Sequence, residues 1–204
     1  MTPLTETESK RRLGSTLPTP EEVLAASVAE AEAFCSAIGE PVVAKASGVA
    51  HKTEGNLVRL GVTAEAMAGV FEELAAAGDG SVLLARQVKA DVELIVGGYR
   101  DETFGPVVTV GIGGVAAELF GDIVAILAPP EPGEVAEAVA TLRGASLLAG
   151  VRGRPPLDIA SLEVVVTAVS DLLLADPGVV EIDCNPVMVE DGQAVVVDAL
   201  VVVV

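Results

Sequence analysis

The stretch that most limits the folds open to this chain is Glu181–Asp198, EIDCNPVMVEDGQAVVVD. Asp191-Gly192 stands between two strongly β-forming segments, the strongest short-range hairpin signal a sequence offers. With these two residues as the loop, Glu190 faces Gln193, and counting back sets Asn185 opposite Asp198. Asp183 precedes Asn185 by two residues, so all three side chains share one side of the sheet. Directly opposed Cβ atoms lie roughly 4.5–5.5 Å apart, which gathers an amide oxygen and two carboxylates at one place. Hard oxygen donors in this arrangement suit Mg²⁺, which keeps several waters and commonly shares its shell with substrate phosphates. Asp and Asn are also frequent near turns for conformational reasons, and a solvated acidic hairpin would read the same way. Asp198 favours the metal. It interrupts the run AVVVDALVVVV, where a charge without a partner is costly.

At 204 residues the chain can bury a real core, as one domain of two lobes or as two small domains. It is 51% hydrophobic but only 2% aromatic, so that core must be built from Val, Leu, Ile and Ala. Its apolar runs are broken by Gly, Asp or Pro well short of a membrane span. The polar start, MTPLTETESKRR, has no hydrophobic signal region, which points to the cytoplasm. Cys35 and Cys184 are too few and too scattered for a zinc site or a disulfide framework, and are expected reduced and buried. A net charge of −18 argues against nucleic acid as a partner. It also makes each cation informative: there are four lysines (Lys10, Lys45, Lys52, Lys89) and one histidine, His51. Lys45, His51 and Lys52 fall within eight residues of one another, as a site for an anion would.

Periodicity and turn signals give an α+β order. Residues 1–20 read as a short helix over 5–13 followed by a Gly/Ser/Pro linker. Thr19-Pro20-Glu21-Glu22 reads as an N-cap and a Pro-led first turn, opening a helix to Ile38 that stops at Gly39. Strands follow over 41–46, 57–62 and 82–88, with a helix from Thr63 to about Gly78 and a polar loop, SGVAHKTEGN, at 47–56. From Asp91 the pattern changes. Strands 92–97 and 106–111 flank the turn YRDETFG, a strand covers 123–127, a helix 133–142, and a long apolar helix runs from Ile159 to about Ala175. The division expected is an N-terminal helix and linker at 1–20, a small lobe at 21–90 and a large lobe at 91–204, with a hinge near Arg86–Asp91.

Two further groups are open to more than one reading. Lys45, in a strand of small apolar residues, is either an edge lysine reaching water or a phosphate ligand. Gly111-Ile112-Gly113-Gly114 follows a strand as phosphate-cradling loops do, yet no Gly-Lys-Ser/Thr follows and no long helix begins there. Glu118 and Asp122 could share one face of a helical turn or be solvated. Arg143 suits a helix C-terminus, and Arg152 an anion or a partner.

In this order, the segments LTETESKRRL, GEPVVAK, HKTEGNLVRL, VELIVGGYRDETFGPVVTVGIGG, LLAGVRGRPPLDI and EIDCNPVMVEDGQAVVVD resemble the ATP-grasp domain of ADP-forming acyl-CoA synthetases. These are relatives of succinyl-CoA synthetase β subunits, and the resemblance runs over essentially the whole chain. It implies an ATP-grasp fold, two α/β lobes clamping ATP or ADP with Mg²⁺. It implies that Lys45 holds ATP phosphates, with Gly113 and Gly114 also at the nucleotide. The Arg86-Gln87-Val88 backbone would form the adenine hinge and Glu93 would take the ribose hydroxyls. Asn185 and Asp198, with Asp183 beside them, would bind the metal. His51 and Lys52 match a catalytic HK pair, His51 standing near the γ-phosphate as a transient phosphoryl acceptor.

In such enzymes the phosphoryl group passes through a phosphohistidine to an acyl group, and CoA then releases the acyl phosphate as a thioester. Two departures stand out: Asn56-Leu57 where the family usually has Gly-Gly, and Ala85-Arg86 where its hinge often carries an acidic or amide residue. The chain shows neither a CoA-binding Rossmann domain nor a flavodoxin-like domain with the principal phosphohistidine. The resemblance therefore implies a partner, a CoA-binding/ligase subunit or domain, in a hetero-oligomer. Two other readings are a non-catalytic regulatory nucleotide-binding module and a stand-alone ATP-grasp carboxylate–amine ligase. The second would need an acyl-acceptor site of its own.

Overall fold

The computed structural model describes residues 1–49, 57–90, 92–114, 121–150 and 153–204. His51, Lys52, Asn56, Glu118 and Arg152 lie outside the described residues. The chain divides into two compact units, one of Met1–Thr19 with Val88–Val204 and one of Pro20–Gln87.

The larger unit is built on a seven-stranded antiparallel sheet. Its order is β1 (Thr2–Pro3), β11 (Leu200–Val203), β9 (Val179–Glu190), β6 (Val92–Asp101), β7 (Gly105–Ile112) and β8 (Ile123–Leu127), and β10 (Gln193–Val196) also pairs with β9. One face is covered by α6 (Ile159–Ala175), whose Asp158 N-cap accepts from the Ala160 amide. Leu162, Val165, Val166, Val169 and Leu173 recur at helical spacing and are fully buried against Leu94, Val96, Val108 and Val110. Each such side chain contributes about 1.5–3 kcal/mol relative to exposure. The approach depends on Gly98: a Cβ there would lie 2.6 Å from Val169 Cγ1 and 2.8 Å from Leu173 Cδ1. Leu94, Val96 and Gly98 therefore face α6, while Glu93, Ile95, Gly97 and Tyr99 face away from it. Arg100 closes the far end of α6, donating to the Leu173, Asp176 and Val179 carbonyls as a cation at a helix C-terminus should.

Helix α1 (Glu6–Leu13) begins with the capping box that Thr5 and Glu8 spell out. It packs on β11 and α6, and Leu13 and Leu17 enter the larger core. Residues 1–19 thus fold with the larger unit instead of standing apart as helix and linker. Two short helices, α4 (Glu134–Ala140) and α5 (Ala145–Leu148), complete this unit's helices among the described residues. Asp122 ties the chain before α5 to the sheet, accepting from the amides of Arg143 and Gly144 at 2.9 and 2.8 Å. Its role here is structural.

In the smaller unit a four-stranded antiparallel sheet runs β2 (Glu22–Ala25), β5 (Val82–Arg86), β3 (Val42–Ala46), β4 (Val58–Val62), and packs against α2 (Val28–Ile38) and α3 (Met67–Ala77). The helix expected from Pro20 begins only at Ser27, whose hydroxyl accepts from Glu30 N. Residues Glu22–Ala25 instead form an edge strand on β5, because the β5 backbone offers a ladder that the local sequence could not announce. The stop at Gly39 is as read, in the left-handed conformation. Cys35 and Cys184 are both free and buried. No helix among the described residues is long and apolar enough to cross a membrane.

Among the described residues one buried side-chain oxygen has no hydrogen-bond partner, Ser170 Oγ in α6. A buried hydroxyl that has lost water without gaining a partner costs stability, and Ala is the better helix former. Ser170→Ala is expected to raise stability by about 1 kcal/mol, read as a higher denaturation midpoint at unchanged m-value. A lower midpoint would mean that an internal water satisfies the hydroxyl.

Candidate functional site

The hairpin turns where the sequence sets it, with positive φ at both Asp191 (50°) and Gly192 (83°), as a type I′ turn requires. The register is Glu190↔Gln193 through Val187↔Val196. The returning strand then leaves the ladder at residues 197–199 and resumes as β11 with Leu200↔Asp183. The offset is the same on both sides of the break. Asp198 therefore stands across from Asn185, as read, but in an interruption of the strand and not in a continuous hairpin.

β9 is irregular at the same level. Its pairing with β6 shifts between Leu94↔Val187 and Val96↔Cys184, which leaves both Asn185 and Pro186 opposite Ile95. A bulge of this kind re-aims side chains and is common beside functional sites. Two irregular backbones thus meet where the candidate ligands sit.

Ile182 and Cys184 point into the core, whereas Asp183 is half-buried and Asn185 exposed on the opposite face. Asp198 is half-buried. Burial and then the like charge of Glu181 push the Asp183 carboxyl above its ordinary value, while the Asn185 side-chain amide pulls it down. A cation beside Asp183 would offset both causes. Glu181 was not among the sequence candidates, although its position two residues before Asp183 marks it as a same-face neighbour. A concavity of about 500 Å³ opens on this face, lined by Ile95, Gly97, Thr109, Glu181, Asp183 and Asn185 among others.

Among the described residues no three His, Cys, Asp or Glu side chains converge as a metal cage. A shell of one amide and one or two carboxylate oxygens is too sparse for structural zinc. It fits an ion that fills the remainder of its octahedron with water and phosphate oxygens.

The remaining candidates lie on both units. Lys45, on β3, is only 6% exposed. It pairs with Leu83 and Val58, and strand alternation sets it on the face opposite the Ala44 and Ala46 side chains that enter the small core. The base of the following loop is fixed by Ala46 N donating to Leu57 O at 3.0 Å and by Ser47 Oγ donating to Asp79 Oδ2 at 3.0 Å. His51 and Lys52 lie outside the described residues. Arg86 ends β5, its amide donating to Glu21 O, and Gln87 Oε1 accepts from Gly61 N. The units divide between Gln87 and Val88.

Glu93 sits on β6 on the same face as Ile95 and Gly97. Its carbonyl accepts from Gly113 N at 2.6 Å, and Ile112 N donates to Asp122 O. These two amides of the GIGG segment are spent on the protein's own backbone. Gly111 and Ile112 end β7, and Gly113 and Gly114 follow it. Gly114 is exposed, and a Cβ there would be 3.7 Å from Glu93 Oε2.

Comparison with known proteins gives a consistent picture. An ATP-grasp domain family model matches residues 1–203. The β subunit of acetate–CoA ligase [ADP-forming] I of Pyrococcus furiosus is 32% identical over 209 residues, covering 97% of this chain and 90% of that protein. Acetate–CoA ligase [ADP-forming] I of Archaeoglobus fulgidus is 36% identical over 184 residues, which is 85% of this chain but only 27% of that longer protein. Among solved structures, the chain superposes with a TM-score of 0.83 and 29% identity on the dinucleotide-forming acetyl-coenzyme A synthetase 1 of Ca. Korarchaeum cryptofilum. That structure holds coenzyme A and Mg-AMPPCP, with its phosphohistidine segment pointing towards the nucleotide-binding site, and the match covers 98% of this chain and 92% of that one.

Proposed function

The chain belongs to the ATP-grasp domain family, and from that membership we propose that it is the nucleotide-binding, phosphoryl-transferring part of an ADP-forming acyl-CoA synthetase. The observation that carries this reading is end-to-end similarity to a β subunit that is a separate polypeptide, across 97% of this chain.

The roles are those that the family resemblance implies. Asn185 and Asp198, with Asp183 beside them, hold Mg²⁺, which neutralises phosphate charge when bound. Lys45, a buried cation on a rigid strand, binds phosphate oxygens. The Arg86–Val88 backbone and Glu93 take adenine and ribose. The exposed Gly114 is the better placed of the two glycines to meet the nucleotide, since the Gly113 amide is engaged by Glu93. Phosphoryl transfer needs positioning and charge neutralisation more than covalent help from the protein, and these residues supply both. A partner subunit or domain contributes the CoA and acyl sites and the principal phosphohistidine.

His51 is the acceptor within this chain. Its imidazole nitrogen attacks the γ-phosphorus, the bond to the β,γ-bridging oxygen breaks, and ADP leaves. Lys52 offsets the charge of the transferring group. With γ-labelled ATP and Mg²⁺, the wild type is expected to take up acid-labile, base-stable label, and His51→Ala to take up none. Equal labelling of the variant would remove His51 from the mechanism while leaving the nucleotide site in place.

A further inference from the structure

The segment that carries Asp198 has left the β-ladder, so something other than strand pairing must hold it. Helix α1 does so from both sides. Lys10 Nζ donates to the Val197 carbonyl at 3.3 Å, directly before Asp198. Beyond it, Ser9 Oγ accepts from the Val201 amide at 3.0 Å, and Leu4 N donates to the Val201 carbonyl at 2.9 Å. On the remaining flank, Val197 N donates to Pro186 O at 3.2 Å.

Lys10 is an unusual choice for this duty. It is 6% exposed and paired at 2.8 Å with Glu6, itself 4% exposed. Taking two charges out of water is expensive, and packed apolar residues of similar volume often serve stability as well or better. The pair therefore calls for a reason other than stability.

We propose that Lys10 is a positioning residue for Asp198: held by Glu6, it grips the Val197 carbonyl and fixes the broken segment so that the carboxylate stands opposite Asn185. This rests on the reading of Asn185 and Asp198 as Mg²⁺ ligands. Glu6 sets the direction of the Lys10 ammonium, and Ser9 sets the far end of the break. A helix that sequence alone reads as a polar N-terminal segment becomes the support for a metal ligand more than 180 residues away along the chain.

The test is the pair variant Glu6→Gln/Lys10→Met, which removes both charges without leaving one of them buried alone, with Ser9→Ala as a second variant acting on the same segment. Nucleotide affinity is measured by calorimetry with Mg²⁺ and with EDTA, and amide hydrogen exchange is followed over residues 196–201. The expected result is a folded pair variant with unchanged affinity in EDTA, an Mg²⁺-dependent gain about tenfold smaller than wild type, and faster exchange at 196–201 but not at 187–190. Ser9→Ala should show the same pattern more weakly. A pair variant with the wild-type gain and wild-type exchange would overturn the positioning role alone. Wild type that gains no affinity from Mg²⁺ would overturn the ligand reading, and this proposal with it. Affinity lost equally with Mg²⁺ and EDTA would make the pair a general structural element and also refute the proposal.

Discussion

Asp198→Asn leaves the chain folded and removes most of the gain in nucleotide affinity that Mg²⁺ provides. The amide keeps the shape and one oxygen of the carboxylate but loses its charge. Hydrogen bonds and contacts that involve a charged group are worth about 1.5–3 kcal/mol. The expected loss is therefore on the order of a hundredfold in affinity at millimolar Mg²⁺. In EDTA the variant binds as well as wild type or slightly better, because Asp198 then only repels phosphate. The fold should tolerate the change: Asp198 is half-buried, outside the strand ladder, and the neighbouring main chain is held by Lys10, Ser9 and Pro186. Calorimetric titrations of the two proteins that superpose at millimolar Mg²⁺ would show that the acidic face is solvated surface and that the metal lies elsewhere.

The 204-residue chain, purified alone, is expected to bind ATP and to form no acyl-CoA from acetate or from branched or aromatic carboxylates. Adding a CoA-binding/ligase partner restores synthesis, from no detectable product to turnover of order 1–100 per second. Thioester formation needs a nucleotide site, an acyl and CoA site, and a phosphoryl carrier between them. The candidate residues assigned here supply the first and, through His51, part of the third. The relatives bracket the expectation. One is a β subunit of similar length, and the other carries the matching part as 27% of a longer ligase. Acyl-CoA made by the chain alone would favour a self-sufficient ligase. Nucleotide binding with neither His51 labelling nor rescue by a partner would favour a regulatory module.

The candidate site was legible to the extent that it depends on local rules. Asp191-Gly192 with alternating flanks sets the hairpin register, and continuing that count places Asn185 across from Asp198 even though the ladder itself breaks at 197–199. The GIGG segment shows where local rules fail. Its glycines look like a phosphate loop, but Ile112 and Gly113 donate to Asp122 and Glu93, partners ten and twenty residues away. The Glu6/Lys10 spacing was equally visible, yet nothing in an i, i+4 pair distinguishes a solvated helix face from a buried one.

What the sequence by itself determined is thus whatever its own neighbours can satisfy. Thr5 and Glu8 cap α1, the apolar period of Ile159–Ala175 makes α6 one-sided, and a positive-φ turn sets one register. What only the tertiary structure decided is whatever needs a partner brought from afar. Glu22–Ala25 is a strand because β5 offers an open edge, and the first nineteen residues join the larger unit because Leu13 and Leu17 find its core. The break at 197–199 exists where α1 replaces the ladder with a lysine and a serine. Backbone groups must be paired somewhere. Local sequence says which groups need partners, and only the folded chain says who provides them.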